Sequence, residues 1–186
     1  MTESLLIKNC VAVSPVGRIP CSILIKGDRI AAIFAPDENY SADKVIDAAG
    51  RYIIPGIIDS HVHLGTGDQG YASDCVTESR SAVTGGVTTM MQYLCQSGSL
   101  FNIYDQYKKD AEANSLIDVF FHIQLFNNEQ LLEVKEYIKR LHVTSYKFLM
   151  ALGLYDIPGS GFTRPDDGYF LEGFSEVAKY PNCISM

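Results

Sequence analysis

No Cys-x-x-Cys pair, no long apolar run, no basic cluster and no low-complexity segment occurs in this 186-residue chain. Each absence removes a class of protein. Five cysteines (Cys10, Cys21, Cys75, Cys95, Cys183) are an odd number without metal-finger spacing, which argues against a disulfide framework or an all-cysteine zinc site. Reduced, mostly buried thiols in a cytoplasmic protein are the expectation, with Cys75 or Cys95 as a nucleophile the lesser alternative. No apolar stretch approaches the roughly 20 residues of a spanning helix. Met1-Thr2-Glu3-Ser4 lacks the basic start and apolar core of a secretion signal. Lys and Arg are scattered in a chain of net charge -7, which argues against nucleic acid or a membrane surface as a partner. No Gly-x-Gly-x-x-Gly follows an expected strand, so the phosphate cradle of a dinucleotide fold is missing. The remainder, 47% hydrophobic and 20% charged, is the composition of a soluble globular protein with one ordinary domain or one and a half small ones.

The first fifty residues show no helical period. Residues 4–13 read as a strand. Residues 21–34 read as a hairpin turning at Lys26-Gly27-Asp28 between β-branched runs. Residues 44–54 supply another strand, interrupted at Ala49-Gly50. After Pro55 the rhythm changes to strands alternating with helices. Strands are expected at 56–64, 87–94, 118–126 and 145–152, with a further one starting at Cys183. Helices are expected at about 75–85, ending on Gly85-Gly86, at 101–114, at 129–141 with Asn128 as N-cap, and at 168–180. A loop rich in Gly, Pro and Asp runs up to Asp167. Such alternation produces parallel strands with crossover helices. A doubly wound sheet and a (β/α)8 barrel both fit, and polar residues at the C-terminal ends of strands favour the barrel.

The densest chemistry lies in Pro55-Gly-Ile-Ile-Asp-Ser-His-Val-His-Leu64. On a strand, residues two apart share a face, so Asp59, His61 and His63 are expected to converge on one side. Two such imidazoles make half of a transition-metal site. The bland reading is an exposed histidine pair. Ile53, Ile54, Ile57 and Ile58 weigh against it by suggesting a buried strand, at whose end polar groups need partners.

Lys147 is the second anomaly, a cation among Tyr146, Phe148, Leu149 and Met150. It can snorkel outward or pair with an acid. It can also lie desolvated with a lowered pKa, and a neutral amine adds carbon dioxide to become a carbamate, an oxygen ligand able to bridge two metals.

Pro-Gly-x-x-Asp-x-His-x-His at 55–63 and Thr-Ser-Tyr-Lys-Phe-Leu-Met-Ala at 144–151 together resemble the amidohydrolase superfamily, and within it the hydantoinase/dihydropyrimidinase group of cyclic amidases. Ile46–Gly56 resembles that group's lead-in to its first barrel strand, and Asp166-Asp167-Gly168 the turn before its fourth helix. The resemblance implies a β-sandwich segment over 1–53. Over 54–186 it implies the N-terminal half of a (β/α)8 barrel, about four βα units. His61, His63 and carboxylated Lys147 would bind metal, with zinc the expected ion in a binuclear site and carbon dioxide needed to carboxylate the lysine. Asp59 would be a structural group or one that orients those ligands from behind. His122 alternates with Phe121 and Ile123 and is expected to face the barrel interior as a core histidine or a support behind the ligands, a ligand role being the lesser alternative; His142 is expected to be exposed. A bridging hydroxide would attack the amide carbon of a small cyclic substrate. The full-length protein would be a cytoplasmic homo-oligomer.

Several family features are missing from these residues. The histidines of the fifth and sixth strands and the general-base aspartate of the eighth are expected beyond Met186, so no catalytic base is assigned here. The chain is therefore expected to be the N-terminal portion of a longer enzyme, inactive alone. Leu152 stands where the group has a substrate-binding tyrosine, with Tyr155 three residues on. Leu64-Gly65 lacks the arginine that dihydroorotases carry after the second histidine, which disfavours that activity. An allantoinase-like enzyme and a non-catalytic, dihydropyrimidinase-like assembly protein are the alternatives.

Overall fold

The computed structural model describes residues 3–36, 38, 40–66, 68–150 and 165–186. Contacts divide the chain into two units, Met1–Pro55 and Gly56–Met186, each with its own sheet.

In the first unit β1 (Ser4–Ser14), β2 (Gly17–Lys26) and β3 (Arg29–Phe34) run antiparallel, while the short β4 (Lys44–Asp47) and β5 (Tyr52–Ile53) lie parallel to β1. The β2–β3 turn uses Gly27 at φ 60°, the left-handed conformation that a two-residue hairpin loop requires. β2 starts at Gly17, earlier than the expected Cys21, because it stays paired to β1 through Val13 and Ser14. The break between β4 and β5 is held by Asp47, whose carboxylate accepts from Ala49 N at 2.9 Å and from Asn9 Nδ2 at 3.1 Å. Cys10 and Cys21 face each other across β1 and β2 and are buried as free thiols. The described residues of this unit form one sheet, so a second sandwich layer is not among them.

The second unit is built from β6 (Ile57–Val62), α1 (Tyr71–Thr84), β7 (Val87–Leu94), α2 (Phe101–Asn114), β8 (Asp118–Leu125), α3 (Asn128–Glu136), β9 (Ser145–Phe148), α4 (Asp167–Val177) and β10 (Ile184–Ser185). Every pairing in its sheet is parallel, and the spatial order of strands is the chain order. A doubly wound sheet reverses at a switch point; this one does not. It is an α/β fold with a curled, parallel half-barrel sheet.

Alternation along the strands separates two faces. Met90 and Leu94 of β7, Ile123 and Leu125 of β8, and Tyr146 and Phe148 of β9 are buried on the helix side with Leu131, Val134 and Val177. Helix α4 comes so near β9 that a Cβ on Gly173 would stand 2.2 Å from Phe148 Cε1, so only glycine fits there. The opposite, inner face carries Tyr93, His122 and Lys147; of its other apolar residues, Ile58, Phe120 and Ile184 are exposed and Met91 is half-buried.

Several local expectations change. β6 is not a buried strand: Ile57 and Ile58 are exposed, because β6 is an edge with one neighbour among the described residues. The N-cap of α3 is Asn127 rather than Asn128; Asn127 is extended, and its side-chain oxygen accepts from Gln130 N at 3.0 Å. The α-helix ends at Glu136, and a π turn carries the chain through Tyr137–Leu141 to His142, which is exposed and left-handed at φ 58°. Helix α1 begins at Tyr71, four residues before the expected start, with Gly70 at its cap. Helix α4 ends at Val177 rather than at residue 180, and Asp166 caps it by accepting from Tyr169 N at 2.8 Å. β9 ends at Phe148. Most of the expected Gly/Pro/Asp loop, with Leu152 and Tyr155, lies outside the described residues.

Candidate metal centre

β6 and β9 lie three strand spacings apart, yet the curl of the sheet brings their side chains together. Lys147 Nζ is 3.4 Å from His61 Nε2. The His61 and His63 ring centroids are 5.3 Å apart. Tyr93, on β7 between them, lies beneath all three. Its ring centroid is 4.8 Å from that of His61 and 5.0 Å from that of His63, and Lys147 Nζ sits 4.1 Å above its face.

The surroundings favour uncharged donors. Burial, above all, holds the Lys147 ammonium below its ordinary pKa; the Cys95 thiol opposes this slightly. His61 and His63 each keep an exposed side, yet His63 is also pushed below the usual imidazole range, first by partial loss of solvent, then by the charge of Lys147 and by His61. A neutral imidazole is the form that binds metal, and a neutral amine is the form that reacts with carbon dioxide. Among the described residues no carboxylate makes an ion pair with Lys147, so the acid-pairing alternative has no partner there.

His122 occupies the layer below, 97% buried, its ring centroid 4.9 Å from that of Tyr93. One ring nitrogen donates to Ser60 O at 3.2 Å, which leaves the other to accept from the Ser145 hydroxyl. Both nitrogens are occupied, so His122 fastens β6 at Ser60, next to His61, and is not free to coordinate. Burial keeps it neutral by lowering its pKa.

Asp59 does not share the face of the two histidines. The β6–β7 register slips between Asp59 and Val62: Asp59 stands opposite Met90, on the helix side, where it lines a groove with Asp74 and Glu78 of α1 whose rim His63 also reaches. This bulge breaks the simple alternation from which convergence was expected. The Asp59 carboxylate instead accepts the backbone N–H of His61 at 3.1 Å, and so acts on the strand rather than on an imidazole. Among the described residues no three His, Cys, Asp or Glu side chains are grouped to hold an ion; the third member of this constellation is a lysine.

No family model matches the chain. Its relatives are nonetheless consistent. It is 32% identical to a D-hydantoinase of Streptomyces coelicolor and 30% identical to an allantoinase of Enterococcus faecalis, in each case over 100% of this chain and 40% or 41% of the relative. The crystal structure of a D-hydantoinase (dihydropyrimidinase) from a Thermus species superposes with TM-score 0.80 at 28% identity, covering 97% of this chain and 39% of that one. The chain is a homologue of the hydantoinases. It spans about two fifths of the length of the curated relatives it matches.

In this hydantoinase homologue the supports of the site include side chains that no motif announced. Gln92 is buried on the helix side of β7, where its amide oxygen accepts from Leu64 N at 2.6 Å and its amide nitrogen donates to Leu64 O at 3.1 Å. It thus clamps the residue after His63. Asp74, in the first turn of α1, accepts from Gly65 N at 2.7 Å and fixes the next one. Gln130 ties the segment after β7, donating to Gln96 O and Gly98 O at 2.7 Å each, while its oxygen accepts from Phe126 N. A period-two pattern marks a glutamine on an apolar face as an irregularity; that irregularity was the available signal for Gln92. Gln92→Leu keeps the volume and strands both backbone groups of Leu64, each worth about 1–3 kcal/mol when buried unpaired. Urea unfolding should register a loss of about 2–6 kcal/mol for the two groups together, and a change within about 0.5 kcal/mol, the usual size for an uninvolved site, would contradict the clamp.

Proposed function

We propose that this chain supplies the first metal-binding side chains of a metal-dependent cyclic amidohydrolase, which opens a ring amide of the hydantoin, dihydropyrimidine or allantoin kind. The observation that carries this reading is the meeting of Lys147 from β9 with His61 from β6 on the inner face of a parallel half-barrel, with His63 alongside. Homology to hydantoinases and to an allantoinase agrees with it.

The donor set fits zinc: imidazole nitrogen and carbamate oxygen, with no thiolate required. His61 and His63 would hold the ion, and Lys147, once carboxylated, would present oxygen to it and to a second ion. When bound, the metal would polarise the amide carbonyl and supply an activated water. The protein's own part is local. Tyr93 and the Lys147 stem exclude water from one side, His122 and Asp59 hold β6 in place, and Gln92 and Asp74 fix the loop after His63. The general base, the remaining ligands and the second layer of a sandwich around the first sheet are assigned to further chain of the longer enzyme, a cytoplasmic homo-oligomer.

Lysine carboxylation joins the Nζ lone pair to the carbon of carbon dioxide and releases one proton. The test is direct. The purified protein is equilibrated with zinc and 13C-labelled bicarbonate, and its 13C spectrum is compared with that of Lys147→Ala. A carbamate resonance in the parent protein, absent from the variant, is the expected result. A parent protein with no carbamate signal and no bound zinc would overturn the reading and favour a non-catalytic assembly protein.

A further inference from the structure

We propose that Tyr93 is a positioning residue for the metal-binding constellation, its ring serving as the common floor that sets the planes of His61 and His63 and the reach of Lys147. The inference rests on the metal-site reading above and extends it to a residue that no motif marks.

Metal-binding histidines are ordinarily oriented through a hydrogen bond from the nitrogen that does not coordinate. His63 lacks that device: among the described residues neither of its ring nitrogens has a hydrogen-bond partner. What fixes its plane is the Tyr93 ring, stacked on it with an interplanar angle of 20°. Stacking restrains the tilt of an imidazole while leaving both nitrogens free in the plane of the ring. The same Tyr93 ring meets His61 at an interplanar angle of 60° and carries Lys147 Nζ over its face. One side chain therefore touches every proposed ligand in this chain. It is 96% buried and packs against His122, which is itself pinned at both nitrogens, so the floor is rigid.

The hydroxyl of Tyr93 takes no part in this. It donates to Met186 Sδ at 3.1 Å, a weak acceptor away from the imidazoles. The geometry therefore separates ring from hydroxyl: phenylalanine keeps the floor, and an aliphatic residue removes it.

The experiment uses the 186-residue protein, with zinc affinity read by competition against a chromophoric chelator and the visible spectrum of the cobalt(II)-substituted protein as a second readout. Tyr93→Phe should match the parent in both. Tyr93→Leu should bind zinc roughly 10–100-fold more weakly, the loss typical when support behind a metal ligand is removed, and its cobalt bands should shift. Tyr93→Met, a more adaptable aliphatic replacement, covers the case in which leucine does not fold, as judged by circular dichroism, and should show the same loss. Zinc affinity within twofold of the parent in the folded aliphatic variant, with unchanged cobalt bands, would overturn the proposal while leaving the metal site standing. Equal losses in Tyr93→Phe and Tyr93→Leu would overturn it in favour of the hydroxyl. A parent protein that binds no zinc would instead remove the metal-site reading on which it rests.

Discussion

Lys147→Ala should lower zinc affinity by more than about 100-fold while leaving the fold as stable as before, or more so. Removing a group that merely orients a ligand already costs about 10–100-fold in metal affinity, and on the proposed reading this variant loses a ligand itself. Nothing nearby can replace it, because among the described residues no carboxylate makes an ion pair with Lys147. Lys147→Glu should not restore binding, since a glutamate oxygen sits several bonds nearer the backbone than a carbamate oxygen would. Stability should move the other way from function. A desolvated amine without an ion-pair partner is a cost to the folded state, and alanine removes it. Zinc competition and urea unfolding on the same preparations separate the two effects. A variant that loses zinc only because it unfolds, or one that keeps both zinc and the carbamate signal, would contradict this account of Lys147.

The parts of this molecule that were legible in advance are those where one residue type has one physical use. Gly27 and Gly85-Gly86 punctuate the chain where a positive φ or a helix end is needed, and the strands at 87–94 and 118–125 follow their apolar period. The histidine pair and Lys147 stood out because polar groups in apolar strands need an explanation. Features that depend on a neighbour were not legible. The exposure of β6 arises from its place at a sheet edge, and the turning of Asp59 away from His61 arises from a register slip against β7. Neither leaves a local mark. Asn127 and Asn128 are equally good caps by type, and only the backbone of the preceding loop chooses between them. Tyr93 reads as an ordinary strand aromatic until the curl of the sheet places it beneath residues from two other strands.

The 186-residue protein supplied with zinc and bicarbonate should bind metal yet turn over hydantoin or dihydrouracil at least about 10²–10⁴-fold more slowly than a complete hydantoinase, the contribution typical of a positioned base. The proposed constellation has candidate ligands and supports but, among the described residues, no group free to move the proton. His122 has both nitrogens committed, Asp59 faces the helix side and is bonded to the His61 backbone, and Lys147 would be consumed as a carbamate in the proposed site. Exposed Phe120, Ile58 and Ile184 on the inner face show in addition that the walls which would enclose a substrate are not supplied by these residues. Water therefore reaches the site from the open side, which weakens every electrostatic contribution to the reaction. Ring opening followed by chromatography, with a complete hydantoinase as reference, measures the difference. Turnover by this chain within tenfold of that reference would mean that one of its own side chains serves as the base. Histidine-to-glutamine replacement at His122, whose amide can keep one of the two bonds, would then be the first variant to make.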